Sequence, residues 1–285
     1  MVMYHYVQDG PGMKGLTSDE FRNQLLHLKE EYKIVSMTEA LTPGNDERTC
    51  VLTFDDGLKD SVTTILPVMK ELNVKGTFFV PASIIKQKKI LHVQKRHLLL
   101  SKIGTEVFVE ELNNRLPDAL QISADPVFKA DYLDDLLTCS LKWMLDFLDF
   151  DIIDPILSDV FKKYIGDEEE IFDEIYLSGD DLYLLLNEGM EIGVHGHSHR
   201  QLGEMSFKEQ EHEMVSAKDI LMPFVLDKPL YISYPSGSYN PLTLRLAEYY
   251  GYEAGVTILK HGNGSSTNRF ELGRYDCNEV YELVK

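Results

Sequence analysis

The chain has 285 residues and a formal net charge of -19, with 47 acidic against 28 basic side chains. That balance argues against nucleic acid or an anionic membrane surface as a partner through general electrostatics, and it suits an uncharged substrate. Cys50, Cys139 and Cys277 are odd in number, far apart and outside any CxxC spacing, which speaks against a disulfide framework or a thiolate zinc site and fits a reducing compartment.

A chain of this length is one large α/β barrel or two ordinary domains, and either buries ample core without disulfides or structural metals. Residues 2–7, Val-Met-Tyr-His-Tyr-Val, read as a core strand with none of the features of a secretory leader, so a cytoplasmic location is expected. No run approaches the ~18 apolar residues of a membrane-spanning helix. Thr17-x-x-Glu20 has the form of a capping box, and Phe21, Leu25, Leu28 and Tyr32 follow at helical spacing, which predicts a helix returning to a strand at 33–37. Residues 42–46, Thr-Pro-Gly-Asn-Asp, are turn chemistry leading into an apolar strand over 50–54. Helix over 59–72 and strand over 76–80 continue the alternation. Such alternation predicts a mainly parallel sheet, and a barrel if the chain closes on itself.

Between 84 and 178 the pattern turns helical, with candidate helices at 91–100, 106–116, 131–147 and 155–164 and with Pro117, Pro126 and Gly166 as punctuation. This reads as an all-helical insertion in one βα connection, leaving 1–83 and 179–285 as a single discontinuous barrel domain. A lid, a partner surface for another protein and a packed appendage all fit that pattern. His92, Lys95, Arg96 and His97 are its one basic cluster, either a phosphate or sugar contact or a solvated helix face. The barrel pattern then resumes with helix 180–188 and strand 190–194. Ser206-x-x-Glu209 is a capping box that opens a helix to about 221. Strand 229–234, helix 240–250 and strand 253–257 follow, then a loop over 262–266 and a closing Leu272-Gly273-Arg274-Tyr275.

Two clusters carry the chemistry. Thr53-Phe54-Asp55-Asp56-Gly57 ends a buried strand on two carboxylates, and His195-Gly196-His197-Ser198-His199 ends another on spaced imidazoles. An adjacent Asp pair alone is as readily structural as functional. Together, carboxylate and imidazoles are the ligand set of a divalent metal, most simply zinc with an open position for water. His195 and His199 are four apart, so one helical turn or a tight loop sets both rings on one side.

These motifs, with the later Tyr234-Pro235-Ser236-Gly237-Ser238-Tyr239, resemble the polysaccharide deacetylase family, also called the NodB homology or carbohydrate esterase family 4 domain. The resemblance spans most of the chain outside the helical segment and implies a distorted (β/α) barrel of the NodB type. It implies Asp56, His195 and His199 as ligands of one divalent metal, zinc first, with cobalt, nickel or manganese as alternatives. It also implies Asp55 as the general base, and His197 as pointing elsewhere. The implied activity is hydrolytic removal of acetyl groups from an N-acetylated sugar or glycan.

The chain departs from the family pattern at several places. Ser233 stands where an arginine is usual, Ser236 where an aromatic is usual, and Gly196 where Ser or Thr is usual. The oxyanion contact of the third motif comes from a backbone N–H, which Ser236 can still supply beside Tyr234. Arg274, after a strand-like stretch near the chain end, is the candidate to replace the missing arginine beside Asp55. Leu259-Lys260-His261 has the letters of the family's Leu-x-His motif, which makes His261 a candidate general acid, or a surface loop histidine. His5 faces the barrel interior near the metal or is a core histidine. The alternatives to an enzyme are a non-catalytic carbohydrate-binding or scaffold relative. Gly196-His197-Ser198-His199 also resembles the last motif of metallophosphoesterases, but the upstream motifs of that family are missing.

Overall fold

The computed structural model describes residues 1–8, 15–42, 48–124, 134–225 and 228–283. The turn expected at 43–46, Pro126 and the expected helix start at 131–133 lie outside the described residues. Contacts divide the chain into two compact units, one holding the N-terminal strand, Gly15–Lys88 and Asp173–Lys285, the other holding Lys89–Phe172.

The first unit contains β1 (Val2–Tyr4), β2 (Lys33–Ile34), β3 (Thr49–Cys50), β4 (Leu52–Phe54), β5 (Gly76–Val80), β6 (Glu191–Val194), β7 (Tyr231–Ser233), β8 (Ala254–Val256) and β9 (Tyr275–Asp276). Seven of these form one sheet in the order β8-β7-β6-β5-β4-β1-β9, and β2 pairs with β3 separately. Every pair is parallel. The last segment curls this sheet into a distorted (β/α) barrel: Leu272 bridges Val256 beside β8, and three residues on Tyr275 pairs with Val2 of β1.

Register decides which side chains face inward. Tyr4, Phe54 and Phe78 sit level on neighbouring strands, and their rings stack at 5.4 and 4.6 Å under Phe21 of the helix Ser18–Glu31. Side chains alternate along a strand, so the opposite face carries Val51, Phe79, Tyr231, Val256 and Leu272, which form one buried cluster. By the same alternation Thr53, Asp55, Ser233 and Arg274 continue that inner face.

Local sequence explains where elements differ from expectation. Thr17 and Glu20 do form a capping box, and so do Ser36 and Glu39, which cut the strand short at Ile34 and open the helix Met37–Leu41. The apolar run at 50–54 divides at Val51 between β3 and β4. Helix 59–72 starts as a π turn, Ser61–Ile65, before Leu66–Glu71. Pro67 has no N–H to continue an α ladder, and the Leu66 N–H reaches Ser61 instead.

The second unit is helical among its described residues, with His92–Asn113 broken at Gly104 (φ 74°), Leu136–Phe147 and Phe150–Tyr164. Its basic cluster turns inward: Lys95 is fully buried against Glu168 at 2.8 Å, Ser158 at 2.7 Å and Asp154 at 3.3 Å, and Arg96 pairs with Asp146. No helix among the described residues is long and apolar enough to cross a membrane.

Candidate metal centre

β4 and β6 end by the same device. The ladder runs one residue past each strand, through Asp55 N–H to the Tyr4 carbonyl (3.0 Å) and His195 N–H to the Val80 carbonyl (3.0 Å). Each chain then turns through the left-handed region, at Asp56 (φ 74°) and Gly57 (φ 64°), and at Gly196 (φ 69°) and His199 (φ 58°). Asp56, His199 and Ser236 are three of the four described non-glycine residues with positive φ. Such strain gathers where a surrounding structure holds functional side chains in place.

These turns bring Asp56, His195 and His199 together, with their ligand atoms all within 4.8 Å of one another. Asp56 Oδ1 is 3.4 Å from His195 Nε2 and 3.2 Å from His199 Nε2. His195 Nδ1 lies 2.8 Å from the Ser233 carbonyl, so it donates there and leaves Nε2 with its lone pair toward Asp56. Burial alone would raise the Asp56 carboxyl, but His199 and the bonds to both imidazoles hold it well below the usual carboxylate range. One carboxylate and two imidazoles, buried and converging, fit a single divalent cation of zinc type, with positions left over for exchangeable ligands.

Asp55 lies beside this cluster but is gripped by other groups. Arg274 donates from Nη1 to Oδ1 and from Nη2 to Oδ2, each at 2.9 Å, and Ser233 Oγ donates to Oδ2 at 3.1 Å. Arg274 is 1% exposed and spends its remaining donors on Ser233 Oγ, Thr53 Oγ1 and the Thr257 carbonyl. Burial would raise Asp55; the Arg274 charge, His195 and the Arg274 hydrogen bonds outweigh it and lower the carboxyl. The three bonds leave about one of the carboxylate's four lone-pair sites uncommitted.

The remaining candidates fall as follows. Ser236 is exposed at φ 53°, and its N–H makes no hydrogen bond among the described residues. The Tyr234 side chain is buried and donates to the Phe270 carbonyl, so its hydroxyl belongs to the core. His261 bonds the Gly262 carbonyl and packs on Gly273, where an added Cβ would fall 2.8 Å from its ring. His197 turns to His212, ring centroids 5.8 Å apart. Two further residues act on the site: His5, a candidate from the sequence, and Glu213, which is not. His5, one residue past β1, is close enough for its charge to lower both Asp55 and Asp56. Glu213 accepts three hydrogen bonds from the loop between the histidines.

Fold and site together define a parallel (β/α) barrel that gathers a three-residue candidate metal centre at the carboxyl ends of its strands. The chain belongs to the polysaccharide deacetylase family, whose profile matches residues 42–112 and 161–255. It is 32% identical over 82 residues to YxkH of Bacillus subtilis (strain 168), a protein named for that family; the match spans 29% of this chain and 29% of YxkH. Among solved structures it is similar to the Streptococcus pyogenes deacetylase PplD in complex with acetate, with a TM-score of 0.62 at 18% identity over 100% of this chain and 96% of that one. IcaB from Ammonifex degensii gives 0.60 at 14% identity over 99% and 94%. At these identities the structural likeness speaks for the fold.

Proposed function

We propose that this protein is a metal-dependent deacetylase that hydrolyses the acetamido group of an N-acetylated sugar or glycan. The observation that carries the reading is the convergence of Asp56, His195 and His199 beside a second, separately clamped carboxylate, Asp55. Asp56, His195 and His199 would hold a divalent cation, which would supply Lewis acidity to lower the pKa of a water from 15.7 toward ~7 and to polarise the amide carbonyl. Asp55 takes the proton from the attacking water at the carboxylate position its three hydrogen bonds leave open. Arg274 and Ser233 fix that carboxylate in one orientation, and positioned proton transfer of this kind contributes typically ~10² to 10⁴ in rate. The Ser236 N–H is the backbone donor available for oxyanion charge. His5, one residue past the first strand, and His261 are the two histidines available to return a proton to the leaving amine. In the same reading the helical insertion at 84–178 serves as a lid or a partner surface.

The test is acetate release from a panel of N-acetylated sugars and oligosaccharides, with chelator and with zinc or cobalt restored. Activity is expected to vanish on chelation and return with metal, and to be lost in Asp55→Asn. Turnover that survives chelation, or that D55N retains, refutes the proposal.

A further inference from the structure

Four backbone groups of the loop that separates the two histidines are held by hydrogen bonds, and two of the four fall to one carboxylate. The carbonyls of Gly196 and His197 accept from the N–H groups of Ala82 (3.1 Å) and Ser83 (2.9 Å), just past β5. On the other side Glu213 Oε2 accepts from the N–H groups of His197 (2.8 Å) and Ser198 (2.9 Å), and Glu213 Oε1 accepts from Ser198 Oγ. Glu213 comes from the helix Phe207–Val225, is 4% exposed and makes no ion pair among the described residues. The fit is close: a Cβ on Gly196 would stand 3.3 Å from Glu213 Oε2 and 3.2 Å from Pro235 Cγ, at a φ of +69°.

We propose that Glu213 is the positioning residue of the metal centre, holding the 196–198 backbone in the conformation that brings His199 back to face Asp56 and His195. It touches none of the reacting atoms. A free loop would gain two rotatable peptide units between His195 and His199, and the His199 backbone would leave the left-handed region that a non-glycine residue occupies only under constraint. Its three bonds are what a carboxylate can give and a cation, hydroxyl or apolar side chain at that position cannot. Outer partners of metal ligands, when removed, typically weaken metal binding by about 10- to 100-fold.

This inference rests on the metal reading above, and two conservative variants of the full chain separate it from that reading. Glu213→Gln keeps an oxygen for both N–H groups, while the Ser198 hydroxyl turns to accept from the amide; Glu213→Asp keeps the charge but withdraws the carboxylate by one methylene. Chelator-stripped protein is titrated with cobalt(II) and followed by its visible absorption, with melting temperature recorded for each apo form. Binding by E213D is expected to be at least about 10-fold weaker with an altered band, and binding by E213Q within about threefold of the parent. Unchanged binding in both variants overturns the proposal. So does the reverse order, with E213D intact and E213Q weak, since charge and not placement would then be the cause. A parent protein that binds no cobalt, or binds it equally well as His199→Ala, refutes the metal reading itself.

Discussion

Removal of the Arg274 guanidinium is the perturbation with the largest consequence that the structure allows to be worked out. Arg274 and Asp55 are 1% exposed and 3% exposed, and the arginine makes five hydrogen bonds, two of them to that carboxylate. In Arg274→Ala the carboxylate keeps only Ser233 Oγ as a donor, while the Thr257 carbonyl and Ser233 Oγ lose the bonds that Arg274 gave them. Breaking one side of a buried pair leaves an uncompensated charge, and the cost is about 3–5 kcal/mol. In a chain of this size that lowers the melting temperature by about 5–8 °C. Arg274→Lys keeps a cation but not the fork, so it recovers part of the stability while leaving Asp55 held at one oxygen.

The same variants bear on catalysis. A base displaced by ~1 Å costs roughly 10² in rate, so kcat in R274A is expected to fall by about that factor or more, with KM changed little. Urea or thermal unfolding of the chelator-treated protein gives the first number, and acetate release at saturating substrate gives the second. A cycle with Asp55→Asn isolates the pair, with an expected coupling of about 0.5–3 kcal/mol. If R274A melts with the parent and turns over within about threefold of it, the clamp does not hold the base and the reasoning fails.

Two further perturbations test the scaffold around the site. Asp60 accepts the Val7 N–H at 2.7 Å through Oδ2, Oδ1 is buried without a hydrogen-bond partner among the described residues, and burial pushes the carboxyl up to about 7. The folded state then keeps a proton that the unfolded chain releases near ~3.9, so stability falls as pH rises from about 4 to about 7. Asp60→Asn removes that slope, and its advantage over the parent should grow by about 1–3 kcal/mol between pH 5 and pH 8 in urea titrations; a constant difference would contradict the assignment. In the helical unit, Lys95→Met removes the buried ammonium that bridges Asp154 and Glu168, leaving Asp154 with Lys89 and Glu168 with the Ile90 N–H. A loss of about 1–3 kcal/mol is expected in the full chain, and Lys95→Met with Asp154→Asn and Glu168→Gln should recover most of it. An unaltered urea midpoint in the single variant would show that the network carries no stability.

What the sequence makes legible here follows the range of the forces involved. Thr17-x-x-Glu20 and Ser206-x-x-Glu209 are readable because a cap and its partner are three residues apart, and the structure pairs both. The strand ends at Asp55 and His195 are readable because an apolar run stopping on polar residues and glycine needs no distant information. Glu213 was hidden among the charged residues of its helix, although a signal exists: it falls in phase with Gln210, Met214, Ala217 and Leu221, the buried face. A carboxylate at a buried helical phase needs donors, and the nearest unsatisfied N–H groups belong to the loop between the histidines. The inward turn of Lys95 was unreadable for the opposite reason, since its partners Asp154 and Glu168 lie in other helices and nothing local distinguishes it from Arg96 or Lys102.

Asp55 and Asp56 show the limit most clearly. Side by side in sequence, they look like one acidic feature, yet the positive φ at Asp56 sends the two carboxylates to different partners. Asp56 meets imidazoles that arrive from β6, whereas Asp55 meets a guanidinium 219 residues away on the segment that closes the barrel. Arg274 could be named from its place in the chain as the arginine to reach Asp55, and the structure puts it there; that Ser233 would join both groups follows only from the strand order. With β7 between β6 and β8, Ser233 sits where its carbonyl takes His195 Nδ1 and its hydroxyl takes Arg274, so one small residue links His195 to the Arg274–Asp55 pair.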